Sequence, residues 1–273
     1  MTNRPGDPRG NPSPLGISSL AARSEPRRPC VLVIAASDSS GGAGLTRDVR
    51  VLSELGVDAL CAVTAVTAQS DRAVTAVHHV PPEIVRAQIK AAFDTRPVDA
   101  VKIGMLGARA TVEAVAEALM RQPQPFSLVI DPVLVSSSGG VLLDEGGRVA
   151  LTQALFPTAT LVTPNVPEVA ALLGEPVATS EAALLEQGRR LLDLGSQAIL
   201  LKGGHSEGRE AVDLLISREG VDRLAAPRVA GSSRGTGCAL ASAVAAGLAS
   251  GKTLLEACTA AKRYVLGMLT PDR

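Results

Sequence analysis

The sequence predicts a doubly wound α/β fold, a mostly parallel sheet with helices on both faces and an antiparallel strand pair late in the chain. Three observations carry that expectation. Short, continuously apolar runs alternate with segments of helical period, the pattern of strands buried on both faces and joined by crossover helices. A glycine-rich loop follows the first of these runs. A polar residue stands just past one run after another: Asp38, Gln69, Asp131, Asn165 and Lys202. In an open parallel sheet these carboxyl ends share one rim, and ligands bind there.

Taken in order, the first strand is Val31-Leu-Val-Ile-Ala-Ala36, which ends in Ser37-Asp-Ser-Ser-Gly-Gly-Ala-Gly44 and feeds a helix over 45–55. A second apolar segment, 59–68, is closed by Gln69-Ser70. A helix follows over 81–93, with Ile84, Val85, Gln88, Ile89 and Ala92 at helical spacing. Strand 98–103 ends in Gly104-Met-Leu106, helix 110–120 follows, and strand 128–130 ends in Asp131-Pro132. Leu161-Val-Thr163 leads into Pro164-Asn-Val-Pro-Glu168 and a helix through Leu173. Ser180 is placed to cap a helix over 180–194. Strand 198–201 ends in Lys202-Gly-Gly-His205. Segments 211–216 and 221–225, separated by a turn at Glu219-Gly220, form the antiparallel pair, and two helices, 236–250 and 253–269, close the chain.

The bulk properties bound the function. A chain of 273 residues is long enough to bury a full core. Lys plus Arg and Asp plus Glu balance at 27 each, so no charge excess points to nucleic acid or a membrane surface. Phe93, Phe126, Phe156 and Tyr264 are the only aromatic residues, which leaves little for stacking on bases. Cys30, Cys61, Cys238 and Cys258 lie far apart without C-x-x-C spacing, which argues against zinc and a disulfide framework and fits a reducing cytoplasm. No apolar run reaches the ~20 residues that span a bilayer. Residues 1–28 carry Pro5, Pro8, Pro12, Pro14 and Pro26 with five arginines. They are expected to be a disordered leader ahead of one domain over 29–273.

The stretch Gly231-Ser-Ser-Arg-Gly-Thr-Gly-Cys238 opens a long run of small residues. It reads as a loop feeding the N-terminus of a buried helix, where free amides and the helix dipole suit an anion. A glycine turn that only packs the helix would look the same. Three chemistries compete for these residues. Gly231-Ser-Ser-Arg-Gly235 matches the nucleophile elbow G-x-S-x-G with Ser233 as nucleophile. That elbow needs a histidine after the serine, and His78, His79 and His205 all precede it. The segment Ala246-Gly-Leu-Ala-Ser-Gly-Lys-Thr253 resembles a P-loop, but alanine replaces its first glycine and it lies between two helices rather than after a strand. The third chemistry is phosphoryl transfer without a P-loop. Asp131 and Glu168 supply carboxylates suited to Mg²⁺, and Lys202 a cation for the phosphates of ATP. Gly235, Thr236 and Gly237 supply an anion hole. Cys238, at a helix N-terminus, is expected to have a lowered pKa and to accept the hydroxyl proton; the blander reading is a small buried hydrophobe.

Together these motifs resemble the hydroxymethylpyrimidine/phosphomethylpyrimidine kinases of thiamin biosynthesis, a branch of the ribokinase-like superfamily. The resemblance is carried by the 37–44 loop with Asp48, Thr64-Ala-Val-Thr-Ala-Gln69, Lys102-Ile-Gly-Met-Leu106, Asp131-Pro-Val133, Thr163-Pro-Asn-Val-Pro-Glu168, Lys202-Gly-Gly-His205 and Gly235-Thr-Gly-Cys238, in the family's order over about residues 31–268. It implies that Gln69 hydrogen-bonds the pyrimidine, that Met105 and the loop with Gly42 and Ala43 wall the ring, and that Asp48 lies at the substrate end. It further implies that Asn165 and Glu168 act through Mg²⁺ on ATP, with Asp131 near the metal and Lys202 and Thr236 near the nucleotide. Cys238 falls where sugar kinases of the superfamily keep an aspartate base. Members phosphorylate first the hydroxymethyl group and then the monophosphate, and are typically dimers. A vitamin B6 kinase is the alternative, since an amide at Gln69 and a small apolar wall suit either ring. A non-catalytic pyrimidine-binding protein on the same fold would be marked by loss of Cys238, Glu168 or the glycines, all of which are present. This chain departs from the family at Arg234, where His is frequent, at Ser39, where Pro is common, and at Ser137, where some members carry Lys.

Overall fold

A computed structural model describes residues 1–2, 27–122, 125–136, 139–203, 209–229 and 234–270. Ser137, His205, Ser233 and most of the expected leader lie outside the described residues. The elements are β1 (Cys30–Asp38), α1 (Gly44–Glu54), β2 (Asp58–Gln69), β3 (Val74–His79), α2 (Pro82–Thr95), β4 (Ala100–Ile103), α3 (Arg109–Met120), β5 (Ser127–Ile130), α4 (Glu145–Ala150), β6 (Leu161–Val162), α5 (Val166–Leu173), α6 (Glu181–Leu192), β7 (Ala198–Leu201), β8 (Glu210–Ser217), β9 (Val221–Pro227), α7 (Thr236–Ala249) and α8 (Leu254–Leu269).

The strands form one nine-stranded sheet in the order β3-β2-β1-β4-β5-β6-β7-β8-β9. From β2 to β7 the pairing is parallel; β3 joins β2 antiparallel, and β8 and β9 close the other edge antiparallel. The unbroken apolar run of β1 follows from this position. Val31, Val33 and Ala35 pack with α1, α7 and α8, while Leu32 and Ile34 join the core that includes residues of α2, α3, α5 and α6. With both faces covered, neither set of alternating side chains can be polar.

Two elements have no counterpart in the sequence reading. The β3 edge strand is largely exposed and includes Thr75, His78 and His79, so neither an apolar run nor alternation marks it. Its pairing with β2 defines it. α4 runs into a π-helical turn, Leu151–Leu155, and a 3₁₀ turn, Phe156–Thr158. Gly146 and Gly147 in α4 lower helix propensity and hide it. The Ser180 cap is present, its side chain accepting from the Ala183 amide. The P-loop-like stretch falls at the end of α7 and the turn after it, where Lys252 is exposed.

α7 is the helix that positions the site. Ala239 to Gly247 are all buried, so α7 is enclosed nearly all round and shows no amphipathic stripe. Its small side chains let neighbours come close: a Cβ on Gly247 would lie 2.9 Å from the Ala257 Cβ of α8. On the sheet side, β1 turns sharply into α1 at Gly44, whose φ is +58°. A Cβ there would run into the Ala36 carbonyl oxygen. Gly44→Ala is therefore expected to destabilise the protein by ~1–3 kcal/mol, read as a lower urea midpoint at unchanged m-value.

Candidate active site

The site is assembled where β1, β2, β4, β5 and β7 end and α7 begins. Asp38, the last residue of β1, folds the glycine loop around its own carboxylate. Oδ1 accepts from the Ser40 amide at 2.9 Å and the Ser40 hydroxyl at 2.8 Å, and Oδ2 accepts from the Ala43 amide at 3.0 Å. This is the Asx-type local bonding that aspartate favours in turns. Gly235, in the left-handed region at φ +73°, brings the α7 entrance against this loop; a Cβ on it would collide with the Gly42 carbonyl oxygen. Two glycine loops far apart in sequence thus touch through their main chains.

The cradle itself is the first turn of α7. Among the described residues, no acceptor is recorded for the amides of Thr236, Gly237 and Cys238, as expected of the first donors of a helix. Gly237 faces the charged floor, where a Cβ would lie 3.2 Å from Lys202 Nζ and 3.7 Å from Asp131 Oδ2. Lys202 Nζ donates to Asp131 Oδ1 at 2.8 Å and lies 3.7 Å from Glu168 Oε2. Thr163 Oγ1 donates to the same Asp131 oxygen at 3.2 Å. Burial alone would raise Asp131, but Lys202 and Lys102 together hold it below the usual carboxylate range. Burial raises Glu168, opposed by Lys202 and reinforced by Asp131. Burial works against the charge on Lys202, and Asp131 and Glu168 more than restore it.

Asn165 and Glu168 form a capping box on α5. The Asn165 side chain accepts from the Glu168 amide at 2.8 Å, and Glu168 Oε2 accepts from the Asn165 amide at 2.7 Å. The Lys202 amide donates to Pro164 O at 2.9 Å, which ties β7 to this cap. Among the described residues no group of three or more His, Cys, Asp or Glu is placed to hold a metal ion alone. Two oxygen-donor carboxylates beside an anion cradle nevertheless suit Mg²⁺, which takes one or two carboxylates and completes its shell with phosphate and water.

Beyond the glycine loop, Gln69 ends β2. Its amide oxygen accepts from Thr67 Oγ1 at 3.2 Å, and its backbone is tied both ways to Ser39 Oγ at 2.9 Å. Met105 packs with Ala36 and Ala65, with Val133 and Leu142 alongside, into an apolar wall. The Met105 carbonyl accepts from Thr64 Oγ1 at 2.6 Å.

One expectation changes, that for the Cys238 thiol, and Asp48 gains a structural partner. Asp48, expected at the substrate end, is fully buried: it accepts from Lys102 Nζ at 2.7 Å and from Ser242 Oγ at 2.8 Å, pinning α1, β4 and α7 together. Lys102 is equally buried; burial works against its charge, and Asp48, with Cys238 and Asp131, more than restores it, so that it stays protonated well above the ordinary lysine range. The Cys238 thiol is not lowered. Burial pushes it up to about 11, against the pull of Lys102 and a Gly44 backbone hydrogen bond, and Asp48 and Asp131 add to the rise. Here desolvation exceeds what the helix N-terminus offers.

Lys102 stands in a motif of the sequence, but its partner Asp48 comes from a segment distant in the chain, so its role was not legible there. No helix among the described residues is long and apolar enough to cross a membrane. At pH 7 burial keeps the Cys238 thiol protonated. Alkylation of partly exposed Cys238, in a Cys61→Ser background, should therefore rise continuously from pH 7 past pH 10; a plateau below pH 9 would contradict the burial effect.

Comparison with known proteins supplies the family. The family model described as phosphomethylpyrimidine kinase matches residues 38–272. A hydroxymethylpyrimidine/phosphomethylpyrimidine kinase of Rhizobium meliloti (strain 1021) is 45% identical over 235 residues, covering 86% of this chain and 88% of that protein. The crystal structure of phosphomethylpyrimidine kinase from Clostridium difficile 630 superposes with a TM-score of 0.78 at 34% identity, over 89% of this chain and 100% of that one. A pyridoxal kinase from Staphylococcus aureus, solved in complex with ADP, gives a TM-score of 0.82 at 30% identity, over 89% of both chains. With the fold, the paired glycine loops and the family match in agreement, the chain belongs to the phosphomethylpyrimidine kinase family.

Proposed function

We propose that the protein phosphorylates 4-amino-5-hydroxymethyl-2-methylpyrimidine and its monophosphate in thiamin biosynthesis, with ATP as donor. The observation that carries this reading is the position of the first α7 amides. They lie between the Lys202–Asp131 floor on one side and the Gly42 loop on the other. A phosphoryl group held there would have an acceptor at the Gln69 end and a nucleotide at the Lys202 end. The acceptor oxygen forms a bond to the γ-phosphorus as the bond to the bridging oxygen of ADP breaks. The cradle amides and Lys202 stabilise charge on the equatorial oxygens. Mg²⁺, held by Asp131 and Glu168, would neutralise charge on the phosphates. Asn165 and Thr236 lie on the nucleotide side. Asp48 acts as a positioning residue, holding Lys102 beneath α7.

Cys238 takes the proton of the acceptor hydroxyl. Because the resting thiol is protonated, this role calls on the thiolate, and turnover should grow with pH above neutrality. Gln69 pairs its amide with a ring nitrogen and the exocyclic amine, and Met105, Gly42 and Ala43 wall the ring. The protein works as a cytoplasmic homodimer without a nucleic-acid partner. A vitamin B6 kinase is the second reading, favoured by the resemblance to pyridoxal kinase structures.

Transfer from ATP-Mg to the hydroxymethyl pyrimidine, its monophosphate and pyridoxal, assayed in parallel, decides between the two; turnover of pyridoxal alone would overturn the thiamin assignment. In the same assay Cys238→Ala should lower kcat by ~10²–10⁴-fold and flatten the rise with pH, with nucleotide affinity kept. Near-normal turnover would remove Cys238 from the base role. Gln69→Leu should act mainly on KM for the pyrimidine, and an unchanged KM would exclude its contact with the ring.

A further inference from the structure

Arg234 immediately precedes the cradle, and its guanidinium joins three segments. Nη1 donates to the Ser70 carbonyl at 2.8 Å, to Asp71 Oδ1 at 3.0 Å and to Ser40 Oγ at 3.2 Å, while Nη2 donates to Asp38 Oδ2 at 3.1 Å. It lies over the glycine loop, where a Cβ on Gly42 would be 3.5 Å from Nη1 and 3.6 Å from Cζ. A charged, planar donor thus borders the acceptor end of the site, next in sequence to the amides that hold the migrating phosphoryl group.

Its two carboxylate partners among the described residues are not equivalent. The Asp38 side chain is 4% exposed and is committed to the glycine loop through both oxygens, so it anchors the guanidinium. The Asp71 side chain is 88% exposed. An ion pair with so solvated a carboxylate holds weakly, because water screens it and the freed side chain is readily hydrated. A phosphate monoester carries close to two negative charges at neutral pH and presents several oxygens to a guanidinium fork. It can replace Asp71 on Nη1 without disturbing Asp38. The hydroxymethyl substrate is uncharged at that end and gains nothing comparable.

We propose that Arg234 is a specificity-determining residue that favours the phosphorylated acceptor over the free alcohol, with Asp71 as a displaceable competitor for its guanidinium. The inference rests on the pyrimidine kinase reading above. It is tested by measuring kcat/KM for the alcohol and for the monophosphate separately in the wild type, Arg234→Ala, Arg234→Lys and Asp71→Asn. The ratio of monophosphate to alcohol should fall about tenfold or more in Arg234→Ala and recover partly in Arg234→Lys, where the charge is kept and the fork lost. It should rise a few-fold in Asp71→Asn.

A merely structural tie would change both substrates in parallel and leave the ratio where it was; that result, or an unchanged ratio in Asp71→Asn, overturns the proposal. Should Arg234→Ala fail to fold, the Lys and Asp71 variants decide. A wild type that phosphorylates neither pyrimidine refutes the functional reading itself and takes this inference with it, a result distinct from an active wild type with an insensitive ratio.

Discussion

The site depends on a contact with no room for a side chain: the α7 entrance at Gly235 against the Gly42 carbonyl. The contact sets the distance between the first amides of α7 and the 37–44 glycine loop. Each partner is fixed from its own side. Asp38 folds the Gly42 loop through three hydrogen bonds, and α7 is held by Ser242 on the buried Asp48–Lys102 pair. Backbone-to-backbone approach of this kind is stiff, since it leaves no rotamer to adjust.

Charge in the site is balanced internally. Lys102 is matched by Asp48, and Lys202 by Asp131 with Glu168 close by, so that every deeply placed cation has a carboxylate within reach. Removing one member of such a pair leaves a buried charge uncompensated, which is more damaging than never having had the pair. The same arrangement explains the neutral Cys238. It stands among charges that nearly cancel, so burial decides its protonation and the helix terminus does not.

Much of this was legible in the sequence. The strands β1, β4, β5 and β7 announce themselves because burial on both faces forces continuous apolar runs. The polar residues past them converge because a parallel sheet puts its strand ends on one rim. Ser180 and the Asn165–Glu168 box cap their helices as local rules require. What stayed hidden depends on partners remote in the chain. β3 is a strand because β2 offers it an edge, and Asp48 is a buried counter-ion because β4 delivers Lys102 to it. The Cys238 thiol was misjudged for a related reason: helix position is written locally, whereas the depth of burial is a property of the whole packing.

The small-residue surface of α7 has a mechanical consequence. With no room for a side chain at Gly247 against Ala257 and with Ala239 to Gly247 buried, the helix has little slack along this stretch. It behaves as an anvil. Slack in the fold is left to less enclosed elements, such as the β3 strand, which lies at the border of the sheet with most of its residues in water.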